Sequence, residues 1–179
     1  VELGKFLMAC GVKIHGLGTK VIRIKGKKEI GGVTFRISGD SIEAGTYAIA
    51  AAATRGSITV DGVDVTFLRP LLFKLQEAGI EVVVTNGHEV TVLPSPRPKG
   101  ITIKTMPFPG FPTDLQPLMM SLLATAEGRS VITETVYDGR MGHVSELWKM
   151  GANIEVEGNT AIITGVEKLT GAPVVANNL

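Results

Sequence analysis

Residues 116–134, QPLMMSLLATAEGRSVITE, and residues 45–60, GTYAIAAAATRGSITV, are two versions of one pattern. Each reads as a helix that is apolar on nearly every face, then a glycine, then a strand. A helix with no polar face has to be surrounded by protein. The helices over 47–53 and 118–126 are therefore expected at the centre of the fold. A second pattern follows each. KLQEAGIEVVVTNGHEVTVLP (74–94) and LWKMGANIEVEGNTAIITG (147–165) each read as a helix with one polar face, a glycine and a β-hairpin. Gly56 and Gly79 are 23 positions apart, and so are Gly128 and Gly151, which offsets the two copies by 72. Unrelated helices would not keep both spacings. The repeat is strand, buried helix, strand, outer helix, hairpin, or βαβαββ. An α/β fold with helices at its centre and sheets around them is an inside-out α/β barrel.

Residues 6–26, FLMACGVKIHGLGTKVIRIKG, form a further helix-and-hairpin copy without its buried-helix partner. Gly11, Gly79 and Gly151 each suit the left-handed position just past a helix. Asn86-Gly87 and Gly158-Asn159 are hairpin turn signals between alternating runs, and Gly16-Leu17-Gly18 is read as a turn, not a phosphate loop. KGKKEIGG (25–32) and PSPRPKG (94–100) break the pattern as polar or stiff connectors. Residues 1–38 are thus expected to be the tail of a preceding domain. Residues 39–179 are expected to be most of a second domain, with two full repeats and the start of a third. The chain lacks an initiator Met, opens inside a predicted helix and ends on a predicted strand over 174–179. It is expected to be a segment of a longer protein.

Of the 179 residues, 44% are hydrophobic, enough for a sizeable core. The net charge of +1 and the absence of a basic run interleaved with aromatics argue against a nucleic-acid partner. A single cysteine, Cys10, rules out intrachain disulfides and multi-cysteine metal sites and fits a reducing compartment such as the cytoplasm. No apolar run reaches membrane-spanning length and no signal peptide is visible, so no membrane partner is expected.

One loop stands out chemically. MPFPGFPTDLQPLMM (106–120) places three prolines and a glycine before a lone acid, Asp114, between a strand over 101–105 and a helix over 115–125. Prolines fix φ, so the elbow is stiff and can hold a carboxylate as a base. An Asp in this place is ordinarily an N-cap. With Asp114 as cap, however, Pro117 removes one of the donors the cap would serve. Thr113 could cap instead, paired with Gln116 as a capping box, freeing Asp114 but leaving Pro117 to cost a helical hydrogen bond. Asp40-Ser41-Ile42-Glu43 opens the first buried helix in the same way. A capping role suffices for Asp40 and Glu43, and a cleft-lining role is the alternative. Tyr137-Asp138-Gly139-Arg140 follows the strand over 130–136. Arg140 there reads as a solvated charge or as a planar carboxylate- or phosphate-binding fork. It meets the Asp114 elbow only if both lie at one end of the sheets. His15, His88 and His143 lack metal-ligand spacing and read as structural or solvent-facing. Met106, Met119 and Met120 read as core filling.

SGDSIEAGTYAIAAAA (38–53), PFPGFPTDLQP (107–117) and ITETVYDGRMGHVSELWKMGANIEVEGN (132–159), set on this repeat, resemble the UDP-N-acetylglucosamine enolpyruvyl transferases over essentially the whole chain. The sister shikimate-phosphate transferases share the fold but not this elbow. The resemblance implies transfer of enolpyruvate from phosphoenolpyruvate to the 3-hydroxyl of UDP-N-acetylglucosamine, with release of phosphate and no cofactor or metal. Asp114 then matches the acid thought to deprotonate the sugar hydroxyl. Val136 matches a contact to the sugar nucleotide, and Arg140 an arginine on the phosphoenolpyruvate carboxylate. Thr113 and Tyr137 are expected to bind substrate beside them. The family's catalytic cysteine lies on a loop of the preceding domain that this stretch lacks, and Cys10 does not match it. Its lysine and most of its phosphate-binding arginines also fall outside. Asn178 lines the expected cleft where many members carry an aspartate, and an amide cannot act as a base. The remainder of the same polypeptide is therefore an expected partner, and the isolated segment is expected to be inactive. A non-catalytic module of the same repeats and a 3-phosphoshikimate 1-carboxyvinyltransferase are the alternatives.

Overall fold

The computed structural model describes residues 1–176. The chain divides into two compact units, Val1–Gly39 and a second that runs from Asp40 onward. The first unit holds α1 (Glu2–Ala9) and the antiparallel pair β1 (Lys13–His15) and β2 (Arg23–Lys25). Gly11 takes φ +87° at the end of α1, the conformation expected of it.

The second unit runs α2 (Ser41–Ala53), β3 (Ile58–Asp61), a 3₁₀ turn (Val65–Phe67), α3 (Arg69–Glu77), β4 (Val82–Thr85) and β5 (Glu89–Val92). It continues with β6 (Thr102–Lys104), a 3₁₀ turn (Thr113–Leu115), α4 (Gln116–Leu123), β7 (Arg129–Thr133), α5 (Val144–Lys149), β8 (Asn153–Glu157) and β9 (Thr160–Thr164). The three-stranded sheet has the order β3-β5-β4 and is antiparallel. The four-stranded sheet has the order β6-β7-β9-β8, with β6 and β7 parallel and the rest antiparallel. The later copy shows the full βαβαββ order. The earlier copy lacks its leading strand: residues 26–40 form none, and β3 is left at a sheet edge.

Helices α2 and α4 lie against each other, α2 under β3 and β5 and α4 under β7. This is the helix-centred architecture expected from the repeat. Gly45 lets the turn before α4 and helix α3 pack onto α2: a Cβ there would lie 2.7 Å from Leu115 Cδ1 and 3.0 Å from Leu71 Cδ2. Met119, Met120, Leu122 and Leu123 of α4 are fully buried. Each such side chain contributes roughly 1.5–3 kcal/mol of burial. The expectation of burial on every face is too strong for α2. Glu43, Tyr47, Ala50 and Ala53 form an exposed stripe along it. A pair of helices and their sheets cover only part of each cylinder. Met106 is also not core filling. It is 51% exposed, because the loop after β6 closes on itself (Gly110 N–H to Pro107 O, Met106 N–H to Phe111 O) and buries Phe111 instead.

The strand expected at the end of the chain does not form over its described part. Residues 174–176 pair with no strand, and the Val175 N–H donates to Glu146 Oε2 at 2.9 Å. The stretch 94–100 is more than a connector. The Arg97 guanidinium donates to the carbonyls of Thr125, Ala126 and Val166 at 2.9–3.0 Å. It thereby satisfies acceptors that the end of α4 leaves open.

Candidate functional site

Because β6 and β7 run parallel, with Lys104 beside Thr133, the segments leaving them emerge at one end of the sheet. The proline elbow leaves β6 and the 134–140 turn leaves β7. This condition, which the spacing leaves open, brings Asp114 and Arg140 together. Arg140 Nη1 lies 2.7 Å from Asp114 Oδ1 and donates to Thr113 Oγ1 at 2.9 Å. Its side chain is 7% exposed, whereas Asp114 is 53% exposed. Arg140 is thus not a solvated charge. Its guanidinium carbon also sits 5.1 Å from the centre of the Tyr137 ring, in cation–π range.

Neither capping reading of the elbow holds. No side chain caps the turn Thr113–Leu115 or helix α4. The Thr113 hydroxyl donates to Glu134 Oε2 at 2.9 Å instead of capping, and Gln116 reaches Met141 Sδ. Pro117 falls in the first turn of α4, where its missing N–H costs no helical bond. Asp114 is held by Arg140 alone among the described residues, through one oxygen.

Glu134 was legible in the motif but not as a site residue. Ser130, Ile132 and Glu134 alternate along β7 and its extension, and all three are buried. An acid in phase with a buried strand face is the signal that would have found it. Its Oε1 accepts from Thr105 Oγ1 at 2.6 Å, from Val136 N at 2.8 Å and from Tyr137 N at 3.0 Å. Burial pushes its pKa up, but the hydrogen bonds from Thr105, Tyr137, Val136 and Thr113 outweigh this and hold it below the ordinary carboxyl range. Val136 and Tyr137, through these N–H groups, belong to the same constellation, while their side chains are about half exposed.

A cavity of about 510 Å³ opens between α4 and α5, lined among others by Tyr137, Arg140, His143 and Glu146. Asp114 and Thr113 do not line it. Burial, helped by the neighbouring Arg140 charge, lowers the His143 pKa from 6.5 to about 4. The imidazole is therefore neutral at pH 7, with Nε2 3.1 Å from Met120 Sδ. Asp40 and Glu43 stand apart. Asp40 caps α2 by accepting from Ile42 N and Glu43 N, and neither acid bonds to the Asp114 constellation among the described residues. Asn178 lies outside the described residues.

These environments have a sign in pH. The unfolded chain protonates His143 near pH 6.5 and the folded chain only near 4. Stability is therefore lost as pH falls through that window. Glu134, depressed when folded, adds its own loss below the ordinary carboxyl range. The urea midpoint, read from the fluorescence of the single Trp148, should fall steadily from pH 6.5 to 4. His143→Gln should flatten that part of the curve alone. A flat wild-type midpoint across the window would contradict the assignment.

The sequence profile of EPSP synthase (3-phosphoshikimate 1-carboxyvinyltransferase) matches residues 1–178. The chain is 50% identical over 179 residues to the UDP-N-acetylglucosamine 1-carboxyvinyltransferase of Clostridium botulinum (strain ATCC 19397 / Type A), all of the chain against 43% of that protein. It is 49% identical over 180 residues to the enzyme of the same name from Geotalea uraniireducens (strain Rf4), again against 43% of its length. The chain thus spans less than half of these relatives. In structure it resembles the enolpyruvyl transferase NikO from Streptomyces tendae (TM-score 0.79, 25% identity, 91% of this chain and 39% of that one). It shares the fold of EPSP synthase from Acinetobacter baumannii (TM-score 0.71, 22% identity, 93% of this chain and 40% of that one). The helix-centred repeat and the profile that runs from residue 1 to residue 178 agree, and the chain belongs to the EPSP synthase family of enolpyruvyl (1-carboxyvinyl) transferases.

Proposed function

We propose that this chain is the sugar-nucleotide side of a UDP-N-acetylglucosamine 1-carboxyvinyltransferase, the enzyme that opens peptidoglycan synthesis in the bacterial cytoplasm. Residues 1–38 end the preceding domain and residues 39–179 form most of the second. The reaction forms a bond between the sugar 3-oxygen and C2 of phosphoenolpyruvate and releases phosphate. Asp114 takes the proton of the 3-hydroxyl. Arg140 presents its fork of donors to the phosphoenolpyruvate carboxylate, which suits a planar anion better than a lysine would. Thr113, Val136 and Tyr137 line the sugar-nucleotide side. Asp40 and Glu43 line the cleft more remotely.

The observation that carries this reading is the contact between the two elbows, Arg140 Nη1 to Asp114 Oδ1 at 2.7 Å. A base and an anion-binding group next to each other are what an alcohol and a carboxylate-bearing partner require. The identity of about 50% to enzymes with this name favours the sugar nucleotide over shikimate 3-phosphate. The test is phosphate release by the full-length protein with phosphoenolpyruvate and either acceptor. Turnover with UDP-N-acetylglucosamine, none with shikimate 3-phosphate and none from residues 1–179 alone is the expected result. Turnover with shikimate 3-phosphate only, or binding of the uridine nucleotide without turnover, would replace this reading with the sister activity or a non-catalytic module.

A further inference from the structure

Glu134 is a buried carboxyl group that the reaction outlined above leaves without a role. It is 1% exposed. A carboxylate so enclosed is costly unless donors surround it. Four donors do so here: Thr105 Oγ1, Val136 N and Tyr137 N on Oε1, and Thr113 Oγ1 on Oε2. The first three tie together the ends of the parallel strands. The fourth points toward the reacting groups.

A threonine hydroxyl has one hydrogen and two lone pairs, and an ionised carboxylate only accepts. Glu134 therefore claims the Thr113 hydrogen. The lone pairs of Thr113 are left facing Arg140 Nη1, which donates to them at 2.9 Å. The second hydrogen of the same nitrogen goes to Asp114 Oδ1 at 2.7 Å. One guanidinium nitrogen is thus aimed by two acceptors, and the direction of one of them is set by a carboxylate that touches neither Arg140 nor Asp114.

We propose that Glu134 is a positioning residue for the transfer reaction: by fixing the Thr113 hydroxyl as an acceptor, it holds Arg140 in register with Asp114. This rests on the roles given above to Asp114 and Arg140. An amide at 134 would keep its oxygen under the three donors that tie the strands. It would then turn its NH₂ toward Thr113. Thr113 would accept from that NH₂, its hydrogen would be released to a position beside Arg140, and the lone pair that anchors Arg140 would no longer be fixed.

The experiment is a double-mutant cycle in the full-length protein, using kcat/KM for phosphoenolpyruvate and UDP-N-acetylglucosamine. Glu134→Gln and Thr113→Val should each lower kcat/KM about tenfold to a hundredfold, since misplacing a catalytic group by about 1 Å can cost on the order of a hundredfold. The double variant should be no worse than the worse single one, because both break the same link. Thr113→Ser, which keeps the hydroxyl, should restore most of the rate. Losses that multiply, or wild-type kcat/KM in a folded Glu134→Gln protein, overturn the proposal. If Glu134→Gln does not fold, Thr113→Val decides alone, because it leaves the buried carboxylate and its other donors in place. Wild-type kcat/KM in Thr113→Val then overturns the link. The two readings fail differently. Wild-type turnover in Asp114→Asn removes the assigned base and this proposal with it. A crippled Asp114→Asn beside an unaffected Glu134→Gln removes only the proposal.

Discussion

Asp114→Asn in the full-length protein is expected to lower kcat at least about a hundredfold while changing substrate affinity little. Asparagine has nearly the same shape and keeps an oxygen for Arg140 Nη1, which now lies 2.7 Å from Oδ1. The elbow is held by Phe111 and Leu115, both buried, and does not depend on the charge. What the amide loses is the capacity to accept a proton. Only Oδ1 of Asp114 is engaged among the described residues, so Oδ2 is left for the hydroxyl that the proposal assigns to it. A positioned general base typically contributes about 10²- to 10⁴-fold, and a hundredfold loss is the lower edge of that range. Steady-state phosphate release at saturating substrates measures it. A variant that turns over at the wild-type rate would leave Asp114 as a mere partner of Arg140.

The largest stability loss is expected at a residue with no chemistry. Gly165→Ala should cost about 3 kcal/mol or more. A Cβ at Gly165 would lie 1.8 Å from the carbonyl oxygen of Ala126 and 2.7 Å from its carbon. These are backbone atoms and have no rotamer to retreat to. The surroundings are also committed. Gly165 N–H donates to Gly128 O, and Val166 N–H donates to Ala124 O. Arg97 binds the carbonyls of Thr125, Ala126 and Val166 around the same turn. Nothing lies within 4 Å of the position a Cβ would take at Gly171. Gly171→Ala should therefore fall within about 0.5 kcal/mol of wild type. Urea denaturation of the two variants side by side gives the comparison, and equal midpoints would refute the steric account.

Much of the architecture was legible from the chain. The equal glycine spacings announced the repeat, and Gly79 and Gly151 take φ +85° and +86° where the pattern put them. Asn86-Gly87 opens the three-residue turn 86–88 that joins β4 to β5, with both residues at positive φ. The misreadings have physical causes. Residues 174–176 are apolar and largely β-branched like a strand but pair with none, and a strand needs a neighbour to satisfy its backbone. Met106 is apolar but sits on a loop whose closure buries Phe111 in its place. Tyr47 lies on an apolar helix that is only partly covered. Composition reports what a residue would gain by burial, not whether a neighbour arrives to bury it.

The site divides along the same line. Asp114, Arg140, Thr113, Val136 and Tyr137 could be picked out because the family's motifs run through them. The carboxylate that joins them is marked only by its phase on a buried strand face, not by a motif role. Glu134 meets Thr113 across 21 positions, and Arg140 meets Asp114 across 26. By itself the sequence determined the repeat, the element types, the glycine-terminated helices and the stiff acid-bearing elbow. All of these follow from φ preferences and hydrophobic period, which act over a few residues. Only the tertiary structure decided that Glu134 is buried and bonded, that Arg140 is sequestered beside Asp114, and that Gly165 tolerates no side chain. Those depend on the parallel register of β6 on β7 and on the packing of the turn after α4, which exist only once distant segments have docked.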